Sequence, residues 1–489
     1  MIHRRPPAAP RTGPGAHAST LAEEKTVKKF EPTAESLKHY RCPEWFRDAK
    51  FGIYLHWGVY SVAERAEWYA RQMYIEGDEL YEHHCKTYGH PSEFGYKDFI
   101  PMWKAERFDP DRLVMLFKQA GAKYFTPCAV HHDNFDLWNS KHHKWNSVNM
   151  GPKKDITGMW REATLKHGLR FGVTTHLERS YSWFNVNKGA DTKGPKKGVP
   201  YDGNDPAYAD FYHEKHDDTD LRQPLNPSEK WRREWAERMK DLIDNYDPDH
   251  LYFDGAIPFQ GDDKARTGLE VIAYHYNHSI DVHGGNQEGV MCIKDIPDHG
   301  TYIEGVATLD MEGGHSDKVL ESPWQTDASI GPWGYYAGAK YLPVAVLVRK
   351  LVEIVSRNGN LLLNVPPRAD GTLDQETEDI LAGIGRWMAV NGDAIYGTRP
   401  WELSGEGEWC FTTKGDAVYA VAFTWPEAGQ DFAVAALGTA AGRGKVAAVT
   451  LLGHKGKPKW TQSADALKIT PPPTPPCDDA CAFKVEFAG

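Results

Sequence analysis

The sequence predicts a parallel (β/α)8-type barrel followed by an antiparallel β-sandwich, and three observations support that expectation. Between about residues 40 and 390, short apolar runs alternate with amphipathic helical patterns, the signature of parallel βα units. From about Tyr396 the helical patterns stop, and short alternating runs separated by Gly and Pro turns replace them. At 489 residues the chain exceeds the usual range of one domain, so a large unit plus a smaller one is the expected division. The expected boundaries are a disordered leader over 1–30, a barrel over 31–394 and a sandwich over 395–489.

The first strand is Lys50 to Leu55, ending at His56-Trp57-Gly58. Asp109-Pro110 opens a helix, the carboxylate as cap and the proline in the first turn; Leu113, Leu116, Phe117 and Ala120 keep helical spacing and Gly121 ends it. Lys123 to Val130 is the next strand, running into His131-His132-Asp133. A helix from Ile156 to His167 leads to the strand Leu169 to Thr175, which ends at His176. The helix from Ser228 to Asn245 carries Trp231, Trp235, Met239, Leu242 and Ile243 on one side and stops before Pro248. It feeds the run Leu251-Tyr252-Phe253-Asp254-Gly255. Further β-type runs follow at Gly289 to Ile293 and Ala307 to Met311, then a helix from Tyr341 to Ser356, a strand from Asn360, and a helix from Asp374 to Val390. In the C-terminal region the strands are Ala417 to Phe423, Asp431 to Ala436, Lys445 to Leu452 and Phe483 to Phe487. The proline-rich stretch Pro471 to Pro476 is expected to be a stiff loop and not an interdomain linker.

Composition narrows the partners. A net charge of −11 argues against a general phosphate-binding surface and so against nucleic acid. No stretch approaches the ~20 consecutive apolar residues of a membrane span. Seventeen Trp, 23 Tyr and 19 Phe supply flat apolar faces that suit both core packing and the C–H faces of sugar rings. Residues 1–30 are rich in Pro, Ala and Arg without apolar periodicity; no hydrophobic segment follows Arg4-Arg5, so a secretory signal is not supported and the compartment stays open. Of seven cysteines only Cys477 and Cys481 are close in sequence, a pair compatible with a zinc site or a disulfide. Oligomeric state is not legible.

The polar residues unusual in such a core, His56, His131, His132, His176 and Asp254, all follow predicted strands. If the strands are parallel their C-terminal ends share one face, where barrel enzymes place catalytic groups. A single Asp-Gly is more simply a turn, and a single His a satisfied core residue, but several at equivalent strand ends point to a site. Neither a phosphate-binding loop nor a dinucleotide fingerprint is present. With 22 histidines a metallohydrolase is the alternative, although no H-E-x-x-H helix occurs. Glycoside hydrolysis needs two carboxylates flanking a sugar: Asp254 can be one, and Glu312, where another apolar run meets glycines, is a reasonable second, although its position alone reads more simply as a surface turn.

The chain resembles the α-L-fucosidases of glycoside hydrolase family 29. The resemblance rests on Trp45 to Ile53 with His56-Trp57-Gly58, Glu67-Trp68-Tyr69, His131-His132-Asp133, Leu251 to Gly255, Pro323 to Asp327, Trp333-Gly334-Tyr335, and Asn358 to Pro367 with Asp370-Gly371, in order from about residue 43 to 375. It implies a retaining enzyme with Asp254 as nucleophile and Glu312 as general acid/base, ahead of Glu304 and Glu321, and a fucose pocket lined by His56, Glu67, Trp68, His131, His132 and His176. Tyr252 and Trp324, within matching stretches, are expected to contact substrate as well. The family often has Trp where this chain has Tyr252, and many members have Tyr near the position of His176. The implied partner is a fucosylated oligosaccharide or glycan, and no metal or organic cofactor is implied. The alternatives are the same mechanism on a related sugar such as α-linked L-galactose, or a catalytically silent carbohydrate-binding protein.

Overall fold

Eight short parallel strands close on themselves: β1 (Phe51–Leu55), β2 (Tyr124–Val130), β3 (Arg170–Thr175), β4 (His250–Phe253), β5 (Val290–Lys294), β6 (Thr308–Asp310), β7 (Trp324–Ser329) and β8 (Gly359–Asn364), with β8 pairing back onto β1. The computed structural model describes residues 28–221, 223–296 and 302–488, so most of the expected leader lies outside the described residues. Phe30, at its end, exchanges both backbone hydrogen bonds with the Asn277 amide, at 2.7 and 2.8 Å.

Local chemistry accounts for the elements. Asp109, Asp155, Ser228 and Asp374 cap the helices Pro110–Gln119, Ile156–Lys166, Glu229–Tyr246 and Gln375–Asn391 by accepting from backbone N–H groups in the first turn. Inside the barrel, Tyr54, Tyr124, Tyr252, Val290, Cys292 and Leu362 form a buried layer. Gly52 makes room for it, since a Cβ there would lie 2.4 Å from the Tyr124 ring.

Several elements escape the sequence pattern, and two in the barrel show why. β7 reads Trp-Gln-Thr-Asp-Ala-Ser, too polar for a buried strand, because Gln325 and Asp327 face charged groups of the barrel interior. The helix Arg266–Val282 begins after Ala265, a left-handed residue with no side-chain cap, so neither start signal is present.

The C-terminal region is all antiparallel. β9 (Arg399–Glu406), β10 (Trp409–Lys414), β11 (Ala417–Ala422), β13 (Val446–Leu451) and β16 (Cys481–Phe487) form one sheet, in the order 13-16-11-10-9. β12 (Phe432–Val434), β14 (Lys459–Gln462) and β15 (Leu467–Thr470) form the second, around a separate core that includes Phe411, Phe432 and Phe483. The proline-rich stretch joins β15 to β16 within this region. At the seam with the barrel the Trp387 indole donates to the Ala480 carbonyl at 2.6 Å. Cys477 and Cys481 stand beside it as free thiols with their sulfurs 3.5 Å apart. Among the described residues no helix is long and apolar enough to cross a membrane.

Candidate active site

Asp254 immediately follows β4, so the pleat that buries Tyr252 inside the barrel also carries the Asp254 carboxyl to its C-terminal mouth. One carboxylate oxygen is bonded by the Lys294 ammonium, which stands at the end of β5. The other lies 2.9 Å from His176 Nδ1, a close contact without hydrogen-bond alignment, and 3.8 Å from His132 Nε2. Arg179 donates to the Asp254 carbonyl at 3.1 Å. Burial alone would raise the Asp254 pKa; Lys294 and then His176 outweigh it and hold the carboxyl well below the usual carboxylate range. Burial works against the Lys294 ammonium in the same way, and Asp254, Asp327 and Glu312 keep it charged.

Glu312 follows β6 in the turn Met311-Glu312-Gly313-Gly314, where Gly313 adopts φ +64°, a left-handed conformation suited to glycine. The turn is tied down by Gly313 N–H on the Asp327 carbonyl at 2.8 Å and by the Thr326 hydroxyl on the Gly314 carbonyl at 2.9 Å. Glu312 Oε2 accepts from Lys294 Nζ at 2.8 Å, and its side chain is 53% exposed. One ammonium therefore bonds both carboxylates. The two carboxylates face one another across a single nitrogen. Trp68, Arg179, Leu221, Lys294, Met311 and Glu312 line a cleft of about 690 Å³.

Four histidines converge behind Asp254. His56 is held by Asn364, whose amide oxygen accepts from the His56 backbone at 2.8 Å and lies 3.0 Å from its Nδ1. His132 Nδ1 contacts the His176 carbonyl at 2.8 Å, and His176 Nε2 the Tyr54 hydroxyl at 3.0 Å. The His131 ring sits 4.3 Å from that of His132 and 4.8 Å from that of His176, with its Nδ1 buried and without a protein partner. Burial, reinforced by the neighbouring imidazoles and, at His132, by Arg179, lowers His56 to about 3 and holds His131 and His132 well below the ordinary histidine value. Those three rings are neutral at pH 7, each with one donor and one acceptor, the complement of a sugar hydroxyl. Glu67 is 5% exposed and accepts from Gly334 N–H at 2.7 Å, and Trp68 packs edge-on to Trp183 at 4.6 Å.

Two expected substrate contacts lie elsewhere. Trp324 opens β7, at the strand end opposite the mouth; it is 1% exposed and its indole donates to the Arg357 carbonyl at 2.8 Å, so it packs the barrel wall. Tyr252 is fully buried one layer beneath Asp254, with its hydroxyl 3.2 Å from Asp310 and 3.0 Å from Asp327. Sequence reasoning stopped the fifth strand at Ile293 and missed Lys294, although it ends an apolar run as Asp254 does. Arg179, Asp310 and Asp327 had no comparable signal.

Two sets of three donors, His56, His131 and His176, and His132, His176 and Asp254, lie within 4.8 Å of one another. The Lys294 ammonium on Asp254 disfavours a second cation beside that carboxylate, whereas His56 Nδ1 is engaged by Asn364 and its Nε2 is left toward the cluster.

A closed parallel barrel with a carboxylate pair at its C-terminal mouth, beside neutral imidazoles, fits a glycoside hydrolase. The α-L-fucosidase family model matches residues 17–393 and the α-L-fucosidase C-terminal domain model residues 406–486; the chain belongs to that family. Tissue α-L-fucosidase of Rattus norvegicus is 30% identical over 474 residues, covering 94% of this chain and 92% of the relative. Plasma α-L-fucosidase of Homo sapiens is 30% identical over 462 residues, covering 89% and 86%. The structure of Thermotoga maritima α-fucosidase with a mechanism-based inhibitor superposes with a TM-score of 0.73 at 28% identity, covering 94% of this chain and all of that one. The fucose complex of the same enzyme gives 0.71 at 29%.

Proposed function

We propose that this enzyme releases L-fucose from fucosylated glycans or oligosaccharides with net retention, through a fucosyl ester on Asp254. The observation that supports this best is the shared Lys294 ammonium, because it gathers two carboxylates at one point of the mouth, as a double displacement needs. Asp254, ionised and on a rigid strand end, attacks the anomeric carbon; Glu312 protonates the departing oxygen, then takes a proton from the water that frees the sugar. His56, His131, His132 and Glu67 receive the hydroxyls, and Trp68 offers an apolar face where a 6-deoxy sugar carries its methyl. The barrel over 31–394 carries the chemistry and the sandwich over 395–489 is accessory.

The test is a panel of fucosylated oligosaccharides of defined linkage, followed by NMR during the first minutes of hydrolysis. The α-anomer of L-fucose should form first. Initial β-fucose would overturn the double displacement, and preferential release of L-galactose would move the enzyme to that neighbouring sugar. No release of either sugar from any linkage would leave the silent binding protein as the better reading.

A further inference from the structure

We propose that Lys294 is a positioning residue that serves the two carboxylates in turn: its ammonium holds Asp254 ionised until attack, then holds Glu312 as a carboxylate while water is activated. The inference rests on the proposed double displacement and deepens it. Lys294 is 8% exposed and has bonds to Asp254 and to Glu312, the latter at 2.8 Å, with Asp327 at 3.6 Å. A buried ammonium among carboxylates contributes through charge as well as packing, and one positive charge cannot fully neutralise several negative ones.

The reaction redistributes that charge. In the first step the Asp254 oxygen forms a bond to the anomeric carbon, the glycosidic C–O bond breaks, and the Glu312 proton moves to the leaving oxygen. Asp254 becomes a neutral ester and Glu312 an anion. Lys294 then loses its first partner while its second gains a charge, and both lie within reach of the same nitrogen without movement of the backbone. In the second step Glu312 takes a proton from water, the hydroxide bonds to the anomeric carbon, and the ester oxygen leaves as the Asp254 carboxylate, which restores the first pairing. Lys294 stays protonated throughout.

The other groups around the pair do not supply this service. His132 and His176 face Asp254 from the ends of β2 and β3, and Arg179 reaches its carbonyl. None of these three is bonded to Glu312. Glu67 and Glu178 are buried nearby and anionic when ionised, and Asp310, Asp327 and the Tyr252 hydroxyl form the floor. Burial, with Asp327, raises Asp310 well above the carboxylate range, and burial raises Asp327.

The experiment compares Lys294→Met and Lys294→Arg with the wild type, using an aryl fucoside and kcat/KM profiles from pH 3 to 9. An opposite charge at this distance shifts a carboxyl by about 1–3 pH units. The acid limb of Lys294→Met should accordingly rise by at least one unit, and a burst of phenol with accumulated fucosyl-enzyme should appear as the water step slows. Lys294→Arg, which keeps the charge, should keep the wild-type acid limb and show no burst. An acid limb unmoved in Lys294→Met, or moved equally in both variants, overturns the proposal. If Lys294→Met does not fold, Lys294→Arg decides: a wild-type limb supports the charge role, and a shifted limb overturns it. A wild-type enzyme that releases no fucose would count against the proposed function instead, before any variant is made.

Discussion

The two carboxylates of the mouth are built in opposite ways. Asp254 ends a buried strand, is 9% exposed, and is held by a lysine, a histidine and the backbone of the preceding strand. Glu312 rides a glycine-rich turn, is half open to solvent, and among the described residues has the single side-chain partner Lys294. Rigid burial among cations suits a group that must stay ionised and aimed, whereas an acid/base must exchange protons with water and so needs the exposed turn. Substitutions at the two positions should therefore fail differently.

The largest effect is expected at Asp254. Asp254→Gly removes the attacking oxygen and should lower turnover by at least about 10⁴-fold without unfolding the barrel; azide should restore part of it and yield β-fucosyl azide. Near-native activity without azide would falsify the nucleophile assignment. Glu312→Ala should cost roughly 10²- to 10⁴-fold on oligosaccharides and clearly less in the first step on an activated aryl fucoside, whose leaving group needs little help. Equal losses on both substrates, with no intermediate accumulating, would transfer the role to Glu304 or Glu321.

Next in size is a stability effect of the neutral histidine cluster. His56, His131 and His132 have folded pKa values depressed by burial, so below about pH 6.5 the unfolded chain binds protons that the folded one refuses. Their stabilisation is complete above that pH and is lost as pH falls toward the folded values. Tm should decline steadily from pH 7 to pH 4, and a flat profile would mean that the rings are charged in the fold. Asp254 has linkage of the same sign in a more acidic window: its depressed pKa adds stability above about pH 4 that is lost in stronger acid.

The smallest effect on catalysis is expected at Trp324, at the far end of β7. Trp324→Phe should leave KM for an aryl fucoside within about twofold while costing on the order of 1–3 kcal/mol in stability through the lost bond to Arg357 and the lost volume. A several-fold rise in KM at unchanged Tm would restore it to the site.

Much of this was legible from pattern. Period-two and period-3.6 patterning, with Asp and Ser caps ahead of the helices, located seven of the eight barrel strands. The rule that polar residues at strand ends mark the mouth found Asp254 and all four histidines, because a buried strand offers no packing reason for an imidazole or carboxylate at its end. The same rule applied one residue further along β5 would have found Lys294. β7 was invisible because its interior residues are polar, and polar interiors are readable only once their partners are known.

By itself, then, the sequence determined the βα alternation, the change to antiparallel strands after Tyr396, and which strand ends carry chemistry, since all of these depend on neighbours within a few residues. Closure of the barrel decided the rest. It brought Lys294, 40 residues beyond Asp254, to an oxygen of that carboxylate, turned Trp324 to the far end of the barrel and placed Tyr252 beneath Asp254. Those outcomes depend on register and on which charges face one another across the barrel, and no local pattern encodes a distance between residues far apart in the chain.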